Sequence, residues 1–318
     1  MPSEFDIIAR YFTRPAPHAK LGVGDDAALL EVSPGRELAV STDTLVSGTH
    51  FFPDAEPRML GHKALAVNLS DLAAMGARPR WALLALTLPK ADESWLAEFS
   101  DGFFRLAQSC DVELVGGDTT RGPLSFTVTV LGEVASGQAL RRGGARPGDD
   151  IWVSGVLGGA ALAVLHLKGD LRLKGADLAH CISKLNAPSP RIALGQGLVG
   201  IANSAIDVSD GLVADLRHIA ESSGVRAEVN YELVPCMAEV QALKNHLPVR
   251  GAILTGGDDY ELLFTAPHAR AAQIEALSSK FGVGLTRIGQ ISAGEGVAVT
   301  DGSGRPIEVG AGGFDHFG

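Results

Sequence analysis

Apolar runs of strand length alternate with helical patterns along this chain. In one helical stretch Leu60, Ala64, Val67 and Met75 recur at roughly helical spacing. The runs that predict strands lie at residues 37–41, 81–88, 112–115, 126–131, 151–154, 205–208 and 261–265. The predicted helices lie at residues 58–75, 93–110, 158–167, 191–198, 212–222 and 269–281. Mixed alternation of this kind predicts an α+β fold class, with two mixed α/β domains.

A segment rich in glycine and charge separates the two halves of this pattern. Residues 141–149 read Arg-Arg-Gly-Gly-Ala-Arg-Pro-Gly-Asp and lie between two strand-like runs. A chain of 318 residues also favours two domains on length alone. We therefore predict one domain over residues 1–148 and a second over residues 149–318.

Composition narrows the possible functions. The formal charge is -10 and the isoelectric point is near 5.4, which argues against nucleic-acid binding through a general basic surface. Phosphate substrates remain possible, because bound cations can reverse the local field. The three cysteines, Cys110, Cys181 and Cys236, have no metal-binding spacing and favour a reducing, cytoplasmic setting. The first residues lack a signal-peptide pattern, and the apolar run at 81–88 is too short to cross a membrane.

Aspartate repeatedly stands beside glycine, serine, threonine or asparagine, often directly after an apolar run. These clusters are Gly24-Asp25-Asp26, Ser41-Thr42-Asp43, Asn68-Leu69-Ser70-Asp71, Gly116-Gly117-Asp118, Asp207-Val208-Ser209-Asp210 and Gly256-Gly257-Asp258-Asp259. A carboxylate at the end of a buried strand is costly unless it is paired, hydrogen-bonded or bound to a cation. Mg²⁺ takes oxygen ligands of these types and bridges to substrate phosphates. The pattern therefore predicts a shared cation site and metal-dependent phosphate chemistry.

Asp71 is the strongest single candidate. It lies within an apolar, helix-forming stretch where a poorly helix-forming carboxylate is hard to explain as surface decoration. Asn68 stands one turn earlier and is expected to share its face.

Each of the other clusters also has a structural explanation. Taken alone, Asp26 is better explained by a glycine turn. The segment from Ser41 to Asp43 offers three oxygen ligands within one short loop, but a helix cap at the end of a strand explains it equally. Ser209 or Asp210 could cap the helix that follows, and the segment 256–261 could be a hairpin turn. Alternation nevertheless places Asp207 and Ser209 on one side of an extended segment, where two oxygens could reach one ion.

The remaining signals are weaker. Gly117 lets the backbone approach a ligand, whereas Arg121 and Arg142 are either phosphate contacts or surface charges. No GxxxxGK[ST] or GxGxxG nucleotide fingerprint is present, and the histidines, His50 among them, show no paired metal spacing. No side-chain nucleophile is evident.

The ordered motifs closely resemble the thiamine-monophosphate kinase family. The matching segments are Gly22-Val23-Gly24-Asp25-Asp26-Ala27-Ala28, Ser41-Thr42-Asp43-Thr44-Leu45-Val46, Asn68-Leu69-Ser70-Asp71-Leu72-Ala73-Ala74-Met75-Gly76-Ala77, Gly116-Gly117-Asp118-Thr119-Thr120, Asp207-Val208-Ser209-Asp210-Gly211-Leu212 and Gly256-Gly257-Asp258-Asp259-Tyr260-Glu261-Leu262. The resemblance implies the aminoimidazole ribonucleotide synthetase-like fold, in which the amino-terminal domains of a homodimer form a barrel. It further implies an amino-terminal domain for ATP, Mg²⁺ and dimerisation, and a carboxy-terminal α/β domain that completes the active site.

The resemblance also implies an activity and a set of site residues. The activity is direct transfer of the γ-phosphoryl group of ATP to thiamine monophosphate, giving thiamine diphosphate and ADP. The implied ligands of several Mg²⁺ ions are Asp26, Ser41, Thr42, Asp43, Asp71, Asp118, Asp207 and Asp210, of which we expect Asp43, Asp71 and Asp210 to be catalytic. The implied ATP contacts are Gly117, Asp118, Arg142 and Ser209. The implied contacts on the thiamine side are His50, Asp258 and Phe314.

Two departures and two alternatives accompany this resemblance. Asp258 replaces the family's usual glutamate, and Phe314 stands where tyrosine or tryptophan is frequent, so both changes fall on the acceptor side. One alternative is another ATP-using superfamily member with a different acceptor. Selenophosphate synthetase is disfavoured, because it typically has a reactive cysteine or selenocysteine near its start, whereas the first cysteine here is Cys110. The hydrogenase maturation relative is disfavoured, because its working cysteine lies at the carboxyl end, where this chain reads His316-Phe317-Gly318. The other alternative is a non-catalytic scaffold that binds metal or nucleotide.

Overall fold

The computed structural model describes residues 3–309, with Glu239 represented by its backbone, and divides into two compact units. The amino-terminal unit comprises residues up to 72 together with 77–137, and the carboxy-terminal unit comprises residues 73–76 and those from 138 onward. The boundary predicted at residue 148, and the roles given to the two domains, stay predictions. Within residues 3–309, no helix has the length and apolar character needed to span a membrane.

The amino-terminal unit is built on a four-stranded sheet in the order β1-β4-β2-β3. Strands β2 and β3 are parallel, and the other neighbours are antiparallel. A parallel pair needs a crossover, which the helix α3 provides between β2 and β3. The elements are α1 (Glu4–Ile7), a π-helical turn (Ile8–Phe12), β1 (Arg36–Val46), α2 (Pro57–Ala74), β2 (Arg78–Leu88), α3 (Glu93–Ser109), β3 (Glu113–Arg121) and β4 (Ser125–Ala135).

Helices α2 and α3 come close because each has a glycine at the contact. A Cβ atom at Gly61 would lie 2.0 Å from the carbonyl oxygen of Phe99, and one at Gly102 would lie 1.9 Å from that of Arg58. Phe126 and Val128 of β4 are fully buried on the face of the adjacent sheet where the centre of the Phe126 ring lies 5.3 Å from that of the Phe99 ring on α3. The close approach of the helices therefore contributes to a dense core on one face of the sheet.

The carboxy-terminal unit is built on a six-stranded mixed sheet in the order β10-β7-β9-β5-β8-β6. Trp152 and Phe264 stack on neighbouring strands within its core. Its strands are β5 (Asp149–Ser154), β6 (Ser204–Asp207), β7 (Arg226–Asn230), β8 (Leu262–Pro267), β9 (Leu285–Ser292) and β10 (Gly296–Thr300). Its helices are α4 (Gly159–Lys168), α5 (Gly175–Asn186), α6 (Ile192–Leu198), α7 (Leu212–Ser223), α8 (Leu247–Thr255) and α9 (Ala271–Phe281), with short 3-10 turns at Tyr231–Leu233, Ala238–Leu243 and His268–Arg270.

All of the predicted strands and helices are present, although several are longer than predicted. Strand β1 extends to Val46 and β3 to Arg121, so both contain the polar motifs that were predicted to follow them. The strands β7, β9 and β10 and the helices α1, α5 and α8 were not predicted. The α+β fold class is confirmed.

Candidate active site

A polar cluster joins strand β1 to helix α2 in the amino-terminal unit. The Ser41 hydroxyl donates to Asp71 Oδ2 at 2.5 Å, and the Asp43 backbone N–H donates to Asn68 Oδ1 at 2.9 Å. The Asn68 amide in turn donates to the carbonyl oxygen of Ala64 at 3.0 Å. Asn68 and Asp71 therefore face the same strand, as their spacing predicted.

Helix α2 explains why these two polar residues are positioned so firmly. Leu65, Ala66 and Leu69 are fully buried, so the helix is shielded from solvent on most of its sides. Asn68 is fully buried too, and its side chain is satisfied by the contacts with Asp43 and Ala64. Asp71 remains partly exposed, which leaves its carboxylate accessible to a ligand.

Thr42 does not share this cluster. Ser41, Thr42 and Asp43 lie inside β1 rather than at its end, so Thr42 points to the face opposite Ser41 and Asp43. Its hydroxyl bonds the Val128 carbonyl oxygen at 3.2 Å and the Thr129 hydroxyl at 2.9 Å. The expectation of three oxygens in one short loop is therefore wrong, and so is the alternative of a helix cap.

Asp118 lies at the opposite edge of the sheet from this cluster. It pairs with Ala85 of β2, which pairs with Thr127 of β4, which pairs with Thr44 of β1. Three strand spacings, about 14 Å along the sheet, thus separate Asp118 from β1. Within one chain, the structure does not bring Asp118 to Asp43.

Gly117 is required by strand packing. Its φ is 147°, and a Cβ atom there would lie 1.8 Å from the carbonyl oxygen of Leu84 on the neighbouring strand. The backbone approach that the sequence suggested is an approach to protein. An additional ATP contact by Gly117 stays a prediction.

The other predicted residues of this unit lie on exposed or turn segments. Asp26 is exposed in the loop before β1. His50 Nδ1 accepts a hydrogen bond from the backbone N–H of Val46 at 3.0 Å. Arg121 is exposed at the end of β3.

In the carboxy-terminal unit, Asp215 organises the turn between β6 and α7. Its Oδ2 accepts from the backbone N–H groups of Ser209, Asp210 and Gly211, each at 3.1 Å. Neither Ser209 nor Asp210 caps α7, because the N-cap residue is Gly211 and no side chain bonds there as a cap. Burial, with added repulsion from Asp207 and Asp210, raises the pKa of Asp215 to about 8.

The segment 256–261 connects α8 to β8 and is not a hairpin. The Asp258 N–H donates to the Ser209 carbonyl oxygen and the Tyr260 N–H to that of Val208, both at 2.8 Å. Asp258 and Tyr260 have φ values of 69° and 49°, in the left-handed region that disfavours residues other than glycine. The Tyr260 hydroxyl donates to Asp258 Oδ1 at 3.1 Å.

Glu261 is the centre of a buried ion-pair network that was not predicted. It accepts two hydrogen bonds from Arg191, each at 2.6 Å, one from Lys184 at 3.0 Å and one from the Ser154 hydroxyl at 2.6 Å. Burial favours the neutral acid, but the bonds from Arg191 and the charges of Arg191 and Lys184 outweigh it, so the pKa of Glu261 is lowered. The carboxylate is therefore ionised in the core.

Asp259 was also missed as a structural residue. Its Oδ2 accepts from the Gly158 N–H at 2.7 Å at the start of α4, and its Oδ1 is buried with no hydrogen-bond partner among residues 3–309. Burial raises its pKa to about 8. The order of Asp258, Asp259 and Glu261 in the sequence did not indicate that Asp259 and Glu261 are buried structural residues. Their partners lie far away in the sequence.

The donor chemistry fits Mg²⁺, but no cage is preformed. Within residues 3–309, no group of three or more His, Cys, Asp or Glu side chains is placed to hold a metal ion. Ser41, Asp43 and Asp71 nevertheless offer hydroxyl and carboxylate oxygens, the ligands of a hard cation. Mg²⁺ commonly uses one or two carboxylates together with waters and substrate phosphates.

Two other predicted site residues lie elsewhere in the chain. Arg142 is exposed in the segment before β5, and Phe314 lies outside the described residues.

Comparisons with known proteins identify the family. The family model for the AIR synthase related protein, N-terminal domain, matches residues 24–134, and the corresponding C-terminal domain model matches residues 146–302. Thiamine-monophosphate kinase of Escherichia coli is 47% identical over 99% of this chain and 98% of its own length. The chain belongs to the thiamine-monophosphate kinase family. The resemblance drawn from the motifs is thereby confirmed.

Solved structures of this family share the fold. The thiamine-monophosphate kinase of Stenotrophomonas maltophilia K279a is 48% identical, with a TM-score of 0.86 over 95% of each chain. A structure of AaThiL complexed with AMPPCP and TMP is 33% identical, with a TM-score of 0.78 over 93% of this chain and 92% of the other. The aminoimidazole ribonucleotide synthetase-like fold of the thiamine-monophosphate kinase family is therefore confirmed for this chain.

Proposed function

We propose that this chain transfers the γ-phosphoryl group of ATP to the phosphate of thiamine monophosphate, giving thiamine diphosphate and ADP. The observation that carries this proposal is its identity to thiamine-monophosphate kinases over nearly its whole length. A relative with the same fold, AaThiL, binds AMPPCP and TMP together. In this chain the reaction is the last phosphorylation in the formation of thiamine diphosphate, and it takes place in the cytoplasm.

Mg²⁺ supplies the positive field in this reaction. Two phosphate groups must meet in a chain whose formal charge is -10, and phosphoryl transfer depends mainly on positioning and charge stabilisation. The proposed ligands are Asp26, Ser41, Asp43, Asp71, Asp118, Asp207 and Asp210. Thr42 is not among them, because its side chain faces away from Ser41 and Asp43. Asp71 is the ligand with the best support, because its carboxylate is held on a buried helix, accepts from Ser41 and remains partly exposed.

The remaining residues position the two substrates. Gly117, Asp118, Arg142 and Ser209 are the proposed ATP contacts. His50, Asp258 and Phe314 are the proposed acceptor contacts. The strained turn that carries Asp258 supports this assignment, since left-handed non-glycine residues cluster at ligand sites.

The functional form is proposed to be a homodimer in which two amino-terminal sheets join. Strand β1 is an edge strand, and its Leu38 and Val40 side chains are 42% and 58% exposed on the face opposite Ser41 and Asp43. Exposed apolar side chains along an open edge favour pairing with another chain. A molar mass near twice 33.1 kDa in light scattering supports this proposal, and a mass near 33.1 kDa at micromolar concentration contradicts it.

One assay tests the activity directly. Purified protein with ATP, Mg²⁺ and thiamine monophosphate should form thiamine diphosphate and ADP in equal amounts. If no product forms at any Mg²⁺ concentration, the kinase proposal is wrong. ATP binding without turnover would then favour a scaffold, and ADP formation with another phosphate acceptor would favour a different enzyme of the superfamily.

A substitution tests the proposed metal ligand. Asp71→Asn should lower kcat by at least about 100-fold, since it removes a charge-bearing oxygen from the Mg²⁺ environment. Asp101→Asn is the matched control, because Asp101 lies on helix α3 of the same unit and forms surface ion pairs with Arg58 and Arg105. Near-normal activity of Asp71→Asn, with circular dichroism unchanged, would remove Asp71 from the ligand set.

A further inference from the structure

The turn between β6 and α7 has an unusual hydrogen-bond arrangement. Three consecutive backbone N–H groups, of Ser209, Asp210 and Gly211, converge on a single oxygen of Asp215. Successive N–H groups at the start of a helix form an anion-binding site that proteins often use for phosphate. Here the chain's own carboxylate already occupies that site.

Several other backbone groups of this turn are also engaged. The Val208 N–H donates to the carbonyl oxygen of Glu261, and the Val208 and Ser209 carbonyl oxygens accept from Tyr260 and Asp258, each at 2.8 Å. The Gly211 carbonyl oxygen accepts from the N–H of Asp215 at 3.0 Å. The side chains of Asp207, Ser209 and Asp210 carry oxygens of the kind that suit a cation and not a phosphate.

This arrangement is costly for a helix cap alone. A serine, asparagine or aspartate at the N-cap position would satisfy the same helix end locally. Instead Gly211 occupies that position at a φ of 116°, and Asp215, which is 2% exposed, is buried close to Asp207 and Asp210. Burying a carboxyl group to satisfy three N–H groups costs desolvation, so the arrangement is poorly suited to stability alone.

We propose that Asp215 is a positioning residue for Mg²⁺-ATP: it fixes the 207–211 turn so that Asp207, Ser209 and Asp210 present their side chains to the metal-bound nucleotide. The proposal rests on the proposed kinase function. Residues that orient metal ligands typically change metal affinity by about 10-fold to 100-fold when they are substituted. Asp215 therefore acts through the turn and does not touch the reacting atoms.

The test compares Mg²⁺ dependence among variants of the full chain. Asp215→Ala should raise the Mg²⁺ concentration that gives half-maximal ATP binding by about 10-fold or more, measured by calorimetry without thiamine monophosphate. The Mg²⁺ midpoint of activity should rise in parallel, while KM for thiamine monophosphate should change less than about threefold. Asp177→Ala is the matched control, because Asp177 is also an acidic residue in the first turn of a helix of this unit, and its midpoint should stay at the wild-type value.

Two further variants separate positioning from simple folding. Asp215→Asn keeps an acceptor oxygen for the three N–H groups and should restore the Mg²⁺ midpoint to within about threefold of wild type. Asp215→Glu replaces the alanine variant if that variant does not fold, since its longer side chain cannot place an oxygen at the same point and should show the same loss. Either an alanine or a glutamate variant that folds and keeps the wild-type Mg²⁺ midpoint overturns the proposal.

The outcome is separable from failure of the kinase proposal. If wild-type protein forms no thiamine diphosphate, the proposed function is wrong, whatever the variants do. If wild-type protein is active and Asp215→Ala loses only thermal stability, Asp215 is a helix cap and this inference alone is wrong.

Discussion

Removal of Arg191 should strongly destabilise the carboxy-terminal unit. Its guanidinium donates two hydrogen bonds of 2.6 Å to Glu261, whose side chain is 1% exposed. Lys184 and Ser154 contribute the other two hydrogen bonds to that carboxylate. Arg191→Met keeps most of the side-chain volume and removes the charge, so it tests the ion pair more than the packing.

The expected loss is about 3 kcal/mol in the free energy of unfolding. Leaving a buried charge without its partner costs about 3–5 kcal/mol. The lower end applies because Lys184 still pairs with Glu261, although it is 29% exposed and therefore partly screened. Arg191→Lys should lose less, about 1–2 kcal/mol, because the charge remains while the two-pronged geometry is lost.

The assay needs a signal from the carboxy-terminal unit alone. The tryptophans of the sequence are Trp81, Trp95 and Trp152, and Trp152 is buried against Phe264 in the sheet of that unit. Urea unfolding followed by fluorescence, in a background with Trp81→Phe and Trp95→Phe, therefore reports on Trp152. The difference between variants is taken at the midpoint, where extrapolation error is smallest.

Two comparisons decide whether the reasoning is right. Arg305→Met is the matched control in the same unit, since Arg305 pairs with Asp301 at the surface and is 81% exposed, so its loss should stay below about 0.5 kcal/mol. Arg191→Met combined with Glu261→Gln should be more stable than Arg191→Met alone, because no unpaired charge remains buried. The explanation is refuted if Arg191→Met costs no more than Arg305→Met.

Three other predictions concern packing, titration and assembly. Gly102→Ala should lower the melting temperature by several degrees, since its Cβ would lie 1.9 Å from the Arg58 carbonyl oxygen; an unchanged melting curve contradicts the close contact between α2 and α3. The pKa of Asp259 is raised to about 8, so the stability that its protonated form contributes is full below about pH 4 and is lost as pH rises through 8. In urea unfolding, the wild type should therefore lose about 2–3 kcal/mol of unfolding free energy relative to Asp259→Asn between pH 5 and 7. Parallel pH profiles of the two proteins would contradict the raised pKa. Leu38→Asp combined with Val40→Asp should convert the proposed dimer to a monomer in light scattering, and an unchanged dimer mass would place the interface elsewhere.

The sequence predicted the elements whose hydrophobic pattern is strong. Helix α2 was recognised from its apolar positions, and Asp71 stood out because it was surrounded by them. The strands β7, β9 and β10 were missed because they contain few consecutive apolar residues and many half-exposed positions. They occupy one side of the carboxy-terminal sheet, where partial exposure weakens the pattern.

Long-range partners account for what was missed near the candidate site. Glu261 belongs to a recognised motif, but Arg191 and Lys184 lie 70 and 77 positions away and carry no mark in the sequence. Asp215 was overlooked for a different reason. It looks like an ordinary first-turn aspartate, and its three hydrogen bonds depend on the fold of the preceding turn.

Strand alternation by itself argues against one of the expectations for Thr42. If residues 41–43 belong to a strand, the side chain of Thr42 must face away from those of Ser41 and Asp43. The prediction failed because β1 was ended at residue 41, where the apolar run stops, although pairing with β4 continues to Val46. Pairing between neighbouring backbones does not require apolar side chains, so a polar motif can lie within a strand. Residue chemistry therefore identified the oxygen donors, whereas backbone pairing determined which of them face α2.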